Sequence, residues 1–520
     1  MTRPGSHDGR LVTLANARVF TADPARPHAR SVSFRSGEIV ALDAPPDAIR
    51  EGEVVDLGGR WLGPAFIDAH LHLTLGATTL AQCDLSAAAS RDEFESRLAR
   101  HAARLDAEGD ADAWLVAFGW NEADWRGDAP TREWLRAAGD RPAVAWRMDQ
   151  HACVVNDAAL ARIDATDVDG GEIDRDASGA PTGVFREQAA WRRVIPRIPE
   201  PSPAAKRANL AKAVAHLHSL GVASVGSMEY LRDIDAVYGP VLDELALRVH
   251  ATVLDRDWPL DAPPALPPHS NAFFRVIGMK SFADGTLGSR TAWMLEPYAD
   301  APRTAGLAME HALRGELAAW MRAVQSLGLS PSVHGIGDRA ARAILDAMDA
   351  CADSPAPRFE HAQTLHPDDL PRLAGRFASM QPLHKADDAR LAPARLGAAR
   401  LARFFPFRAL LAHGARLAFG SDWPIVSPDP MLGIKAAVTG LDLDGRPFAT
   451  EHSIPVHDAL VAYTRSSAEM LGLPSGVLRP GRAADLVVLD RSPFEVDWTR
   501  ETPRVVRTIV GGATVHGAAR

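Results

Sequence analysis

Apolar and polar residues alternate at both ends of the chain. LVTLANARVFT (11–21), ARSVSFRSGEIVALD (29–43) and GEVVDLGGRWL (52–62) alternate between Gly, Asp and Pro breaks, and AADLVVLD (483–490) and RVVRTIVGGATVHG (504–517) do the same. A period of two over short runs predicts half-buried strands. The two ends of a domain often meet. Residues 1–62 and 478–520 are therefore expected to form one small β-rich domain, with the large middle, 63–477, inserted between them.

The middle has a different rhythm. Mostly apolar runs stand at AFIDAH (65–70), VASVGSM (222–228), RVHATVL (248–254), FRVIGMKSF (274–282), SPSVHGIG (330–337), RFEHA (358–362), FASMQP (377–382) and LAFGSDWP (417–424). Between several of them the apolar residues recur at helical spacing, as in AAKRANLAKAVAHLHSLG (204–221), GELAAWMRAVQSLG (315–328) and DRAARAILDAMDACA (338–352). Alternating β and α segments predict a parallel sheet, and eight strands predict an α/β fold of the (β/α)8, TIM-like barrel type.

Residues 74–203, between the first two strand runs, are too many for one crossover. SRDEFESRLARHAARLDAEG (90–109) opens with Ser90 and Glu93 at capping-box spacing, and WLVAFGW (114–120) and PAVAWRM (142–148) read as strands. This segment is expected to be an insertion subdomain over one end of the barrel. The Pro-rich DAPPALPPHS (261–270) reads as a loop, suited to a lid.

Bulk composition narrows the function. The 520 residues carry a formal charge of −9 and no long basic run, which argues against a nucleic-acid binder. Three scattered cysteines, Cys83, Cys153 and Cys351, give neither a disulfide framework nor a CxxC motif. They fit a reducing compartment. MTRPGSHDGRLVTLANARVF lacks the apolar core of a signal peptide, and no run approaches the roughly 18 apolar residues of a membrane span. The expectation is a cytoplasmic protein that acts on a small molecule.

The polar residues at the strand ends carry the chemistry. In a strand, residues i and i+2 share a face, so Asp68, His70 and His72 would point the same way. Lys280, His334, His361 and Asp422 end four further runs. Barrel chemistry sits at the C-terminal ends of the strands. These N and O donors, without a thiolate, suit zinc, manganese, iron or nickel. Each position alone has a plainer reading: His334 or His361 as a satisfied interior histidine, Asp422 as a cap, Lys280 paired with a carboxylate such as Asp284. Their joint placement at one end of the barrel is what chance explains poorly.

The order HxH, Lys, His, His, Asp resembles the amidohydrolase superfamily, specifically family 3 and its YtcJ-like branch, which includes N-substituted formamide deformylases. The segments that carry the likeness are GPAFIDAHLHL (63–73), GWNEADW (119–125), MDQHACVVNDAAL (148–160), KSFADGTLGSRTA (280–292), VHGIGDRA (333–340), FEHAQ (359–363), MQP (380–382) and GSDWPI (420–425). LRPGRAADLVVLD (478–490) and the other terminal pieces are similar to that family's composite β-sandwich. The resemblance implies that His70 and His72 bind one divalent metal, zinc foremost, and that His334 and His361 bind a second or assist the first. It implies that Asp422 binds metal and takes a proton from the attacking water. It also implies that Lys280 is N-carboxylated to a carbamate bridging two ions, with a single-ion site left open. Thr286 stands where Ser is usual and Gly335 where Ala is usual. A homodimer is a family-level expectation.

Further candidates around the site are Asp68, to orient a liganding imidazole; His151, Asn156 and Arg290, to contact substrate; and Trp120 and Trp423, as apolar walls. For these no spacing argument competes with ordinary packing. There is no P-loop, no GxGxxG after a strand and no GxSxG, so neither nucleotide binding nor a serine hydrolase is indicated. The expected reaction is hydrolysis of an amide-like C–N bond. An esterase, lactonase or deaminase on the same metal site is the nearest alternative. A non-catalytic binding barrel is the alternative of another class, and it would be expected to lack one or more of the six ligands.

Overall fold

The structure, a computed structural model, describes residues 9–45, 52–86, 88–109, 113–120, 125, 130–147, 152–168, 171–187, 189–255 and 258–517. Eight strands form one parallel sheet: β1 (Phe66–Leu71), β2 (Val222–Glu229), β3 (Arg248–Val253), β4 (Phe274–Phe282), β5 (Ser330–Gly335), β6 (Arg358–His361), β7 (Phe377–Met380) and β8 (Arg416–Phe419). Each pairs with its predecessor in chain order. The strands are legible as apolar runs because a parallel strand in a barrel is covered on both faces; every residue of β1, β2 and β3 is buried. The crossover helices are apolar on one stripe only. Leu317, Trp320, Met321 and Val324 are the buried positions of the helix Leu317–Ser326.

The first and last strands meet through a carboxylate. Asp68 Oδ1 accepts from the backbone N–H groups of His70 (3.1 Å) and Ser421 (3.1 Å), and Oδ2 accepts from the Ser421 hydroxyl at 2.6 Å. Beside it Asp422 N donates to His70 O at 2.6 Å. The seam is tight enough that a Cβ on Gly420 would lie 2.5 Å from His70 N, so only glycine fits. Asp68→Ala would strand three buried donors. With each unsatisfied buried group costing roughly 1–3 kcal/mol, the variant is expected to lose about 3 kcal/mol or more of stability. An urea midpoint equal to that of the unaltered protein would refute this.

The chain ends pair as expected. Val12–Ala15, Val32–Arg35, Glu38–Leu42 and Glu53–Asp56 make a four-stranded sheet; Arg18–Phe20, His28–Ala29, Trp61–Pro64, Leu486–Leu489, Val505–Val510 and Ala513–His516 make a six-stranded one. Leu14, Val32, Phe34 and Ile39 of the first share one cluster with Leu62, Leu486, Val488 and Ile509 of the second. A buried ion pair, Arg248 Nε to Asp485 Oδ2 at 2.6 Å, ties β3 to the six-stranded sheet's side of the chain.

Ala77–Asn209 form a compact unit of their own. Its six-stranded mixed sheet includes Leu115–Trp120 and Ala143–Arg147, which run parallel, and the helix Arg91–Ala107 covers part of it. Ser90 caps that helix, accepting from Glu93 N at 3.2 Å, while Glu93 Oε2 accepts from Ala89 N at 2.8 Å. Among the described residues no helix is long and apolar enough to cross a membrane.

Candidate metal centre

His70 is the penultimate residue of β1 and His72 follows the strand. The His70 ring is buried, and its Nδ1 lies 2.6 Å from Glu360 Oε2. A carboxylate at that distance accepts a hydrogen bond from Nδ1–H, which favours the tautomer with the lone pair on Nε2. Nε2 is buried and has no hydrogen-bond partner. Glu360 is itself held by the Ser332 hydroxyl at 2.6 Å and by Arg358 at 2.9 Å, both on Oε1. Burial pushes the Glu360 carboxyl up, but Arg358 and His70 outweigh it and hold it well below the usual carboxylate range.

Asp422 follows β8 in a left-handed conformation, φ 58°. Its Oδ1 lies 3.3 Å from His70 Nε2 and 3.2 Å from His72 Nε2, and the three groups can surround one ion. The fit is quantitative: two bonds of about 2.05 Å at a tetrahedral angle put their donor atoms roughly 3.3 Å apart. Burial raises the Asp422 pKa, but the adjoining imidazoles of His70 and His72 prevail and keep it well below its ordinary value. This His–His–Asp arrangement is a site capable of holding a divalent metal.

The other predicted strand-end residues lie close by. The His361 ring centroid is 4.9 Å from that of His70 and 4.4 Å from that of His334. His361 also has a positive φ, 73°, and its Nδ1 meets Gln381 Oε1 at 2.9 Å. His334 stacks on Phe282, with Nε2 3.0 Å from the Gly285 carbonyl. Burial, then the charge of Lys280, pulls the His334 pKa down to about 3. Lys280 is 1% exposed, with Nζ 5.2 Å from the centre of the Phe282 ring. The carboxylate of Asp284, a pairing option for Lys280, accepts from three backbone N–H groups: Ile336 at 3.0 Å, Gly337 at 2.8 Å and Trp293 at 2.8 Å.

The outlying candidates make the following contacts. Asp68 clamps the barrel seam, and the carboxylate that orients a liganding imidazole is Glu360. Asn156 is a knot in the Ala77–Asn209 unit: its Oδ1 accepts from Ala143 N and Ala159 N, both at 3.0 Å, and its Nδ2 donates to Arg141 O at 2.8 Å. Trp120 lies in the core of the same unit with Phe94 and Leu98, and its indole N–H donates to Ala145 O at 3.0 Å. Arg290 is committed to Asp300, at 3.1 and 2.9 Å. Trp423 is 5% exposed; its carbonyl accepts from His72 N at 2.8 Å, and its ring packs so closely on Gly76 that a Cβ there would lie 2.4 Å away. His151 lies outside the described residues.

Two residues of the centre are not among those the sequence pattern points to. Glu360 stands inside the run RFEHA, where a charge in a strand buried on both faces is itself a signal. His384, in the helix Pro382–Asp388, brings Nε2 to 3.8 Å from Asp422 Oδ2. Its signal is weaker, a histidine two residues beyond MQP. Glu360→Gln removes the charge that fixes the His70 ring. Loss of such an outer partner typically weakens metal binding 10–100-fold, so a drop of that order is expected in a chelator-competition titration.

These observations agree with what the chain is similar to. A match to the amidohydrolase family spans residues 53–516. Protein LONG AFTER FAR-RED 3 of Arabidopsis thaliana is 31% identical, over 97% of this chain and 91% of its own. The putative amidohydrolase YtcJ of Bacillus subtilis (strain 168) is 31% identical, over 90% of this chain and 91% of its own. Among solved structures, an uncharacterized metal-dependent hydrolase from Pyrococcus horikoshii OT3 superposes with a TM-score of 0.77 at 28% identity, covering 94% of this chain and 99% of that one. A barrel with a His–His–Asp centre at the C-terminal ends of its strands, and a family match over nearly the whole sequence, lead to one conclusion: this chain is a hydrolase that belongs to the amidohydrolase family.

Proposed function

We propose that this protein hydrolyses an amide-like C–N bond, such as that of an N-formyl, N-acyl or cyclic amide, at a zinc centre held by His70, His72 and Asp422. The observation that carries the reading is the orphaned, buried Nε2 of His70 facing Asp422 Oδ1 at 3.3 Å. A nitrogen that the Glu360 hydrogen bond leaves as the lone-pair side of the ring, with no donor facing it, is suited to a cation. A divalent ion bound there supplies Lewis acidity and lowers the pKa of water toward about 7. Asp422 then does the proton work: it accepts the proton of the attacking water and returns it to the leaving nitrogen, the usual alternation of one positioned group. Glu360 keeps His70 in the liganding tautomer throughout.

His334, His361 and Lys280 extend the donor set. Lys280 is buried where an ammonium would sit beside divalent charge. A carbamate formed with CO2 would reverse that repulsion and offer two oxygens, so we propose that Lys280 is N-carboxylated and that the centre is built for two ions. Metal analysis of the purified protein, with a hydrolysis screen over N-formyl, N-acyl and cyclic amides alongside esters and lactones, tests the reading. Bound metal with amide turnover is expected. Retained metal with turnover confined to esters or lactones would overturn the amide assignment, and less than one equivalent of metal with chelator-insensitive activity would overturn the metal mechanism.

A further inference from the structure

The two oxygens of Asp422 face different neighbours. Oδ1 is shared by His70 Nε2 and His72 Nε2, at 3.3 and 3.2 Å, whereas Oδ2 faces His384 Nε2 at 3.8 Å. His384 Nε2 is buried and has no hydrogen-bond partner, and its ring lies flat along that of His361, 23° between planes at 6.3 Å. On the same turn, Gln381 uses Oε1 for His361 Nδ1 and leaves its own Nε2 buried without a partner. A buried polar atom left unsatisfied is destabilising. Beside reacting groups, such atoms mark where a ligand completes the hydrogen bonds.

The division of the Asp422 oxygens limits where a substrate can sit. With Oδ1 committed to the metal-binding side, a proton taken from water is carried on Oδ2. Hydrolysis breaks the C–N bond, the acyl carbon gains the hydroxyl of water, and the nitrogen gains the proton from Oδ2. The leaving nitrogen must therefore come within hydrogen-bonding distance of Oδ2, in the space that His384 borders. We propose that His384 is a catalytic residue of the leaving-group half of the site, its Nε2 hydrogen-bonding to the departing amine and holding the nitrogen against Asp422 Oδ2. This rests on the amide hydrolysis proposed above. It goes further in assigning the amine side, not the acyl side, to the turn that follows β7.

The test uses the metal-loaded protein, ring-substituted formanilides of graded aniline basicity, and the variants His384→Leu and His384→Gln, with His384→Ala in place of the leucine variant if that does not fold. A lost hydrogen bond to the leaving group is expected to lower kcat/KM about 10–100-fold for the most basic anilines and much less for nitroaniline, steepening the dependence on leaving-group basicity. The glutamine variant, which returns a polar atom near the Nε2 position, is expected to recover part of the loss, with metal content unchanged. In parallel, calorimetric titration of aniline and of formate is expected to show aniline binding weakened about tenfold in His384→Leu, with formate binding unaltered. A uniform loss across all leaving groups, or aniline binding equal in variant and unaltered protein, would overturn the proposal. If the unaltered protein binds metal but cleaves no formanilide, the amide reading fails for this class, and the titration alone then decides on His384. Weaker aniline binding in the variant supports it; equal binding, or none in the unaltered protein, refutes it.

Discussion

Asp422→Asn is expected to lower kcat by about 10²–10⁴-fold while leaving the fold and most of the bound metal in place. Three features of the site lead there. Asparagine is isosteric with aspartate and keeps an amide oxygen where Oδ1 meets the two imidazoles. It is also, after glycine, among the residues best suited to the left-handed backbone of position 422, where φ is 58°. Alanine would lose the ligand and strain the turn together, so it would not isolate the chemistry. What asparagine cannot do is accept a proton at neutral pH, and in its neutral amide the oxygen toward His384 becomes an NH2 group. Turnover should therefore collapse while thermal midpoint and metal stoichiometry move little. Steady-state kinetics with elemental analysis of the same sample reads both, and near-normal turnover in a metal-replete variant would remove Asp422 from the proton-transfer role.

Removal of metal is expected to have the next largest effect. Dialysis against a strong chelator should reduce activity roughly 100-fold or more, since Lewis-acid and water-activating effects are together worth several kcal/mol of barrier. Stability should fall as well, because an ion bound to the folded state alone contributes RT ln(1 + [L]/Kd). The barrel itself should survive: its strands are closed by Asp68 and by packing that does not involve the ion, whereas His70 Nε2 is left buried and unsatisfied. Circular dichroism of the metal-free protein is thus expected to stay native-like with a lowered melting midpoint. Stoichiometric zinc should restore both activity and midpoint. Full activity after verified metal depletion would exclude the mechanism proposed here.

Much of this architecture could be read from the chain. All eight barrel strands fall within a few residues of the runs picked out by hydrophobicity, and FRVIGMKSF coincides with β4, Phe274–Phe282. The reason is that strands covered on both faces admit few polar residues, so the polar ones at their ends stand out. That is why His70, Lys280, His334, His361 and Asp422 were visible. The same logic also picked out Trp120 and Asn156. An aromatic at a strand end and an amide before a short helix look alike whether they serve a pocket or a separate core, and these two serve the core and backbone of Ala77–Asn209.

What pattern could not supply is which atom faces which. His70 and Glu360 are 290 positions apart, and Asp68 and Ser421 are 353 apart. A carboxylate two residues before a histidine has the right chemistry to orient its ring, yet Asp68 spends its oxygens on the β1–β8 seam. Glu360 reaches the ring because barrel closure brings β6 across from β1. The sequence by itself determined the barrel, the pairing of the chain ends and the set of nitrogen and oxygen donors, because burial periodicity and strand-end polarity are local properties of the chain. Only the tertiary structure decided the roles within that set: the tautomer of His70, the two faces of Asp422 and the place of His384 beside it. Those depend on side-chain directions across a closed barrel, which no local pattern encodes.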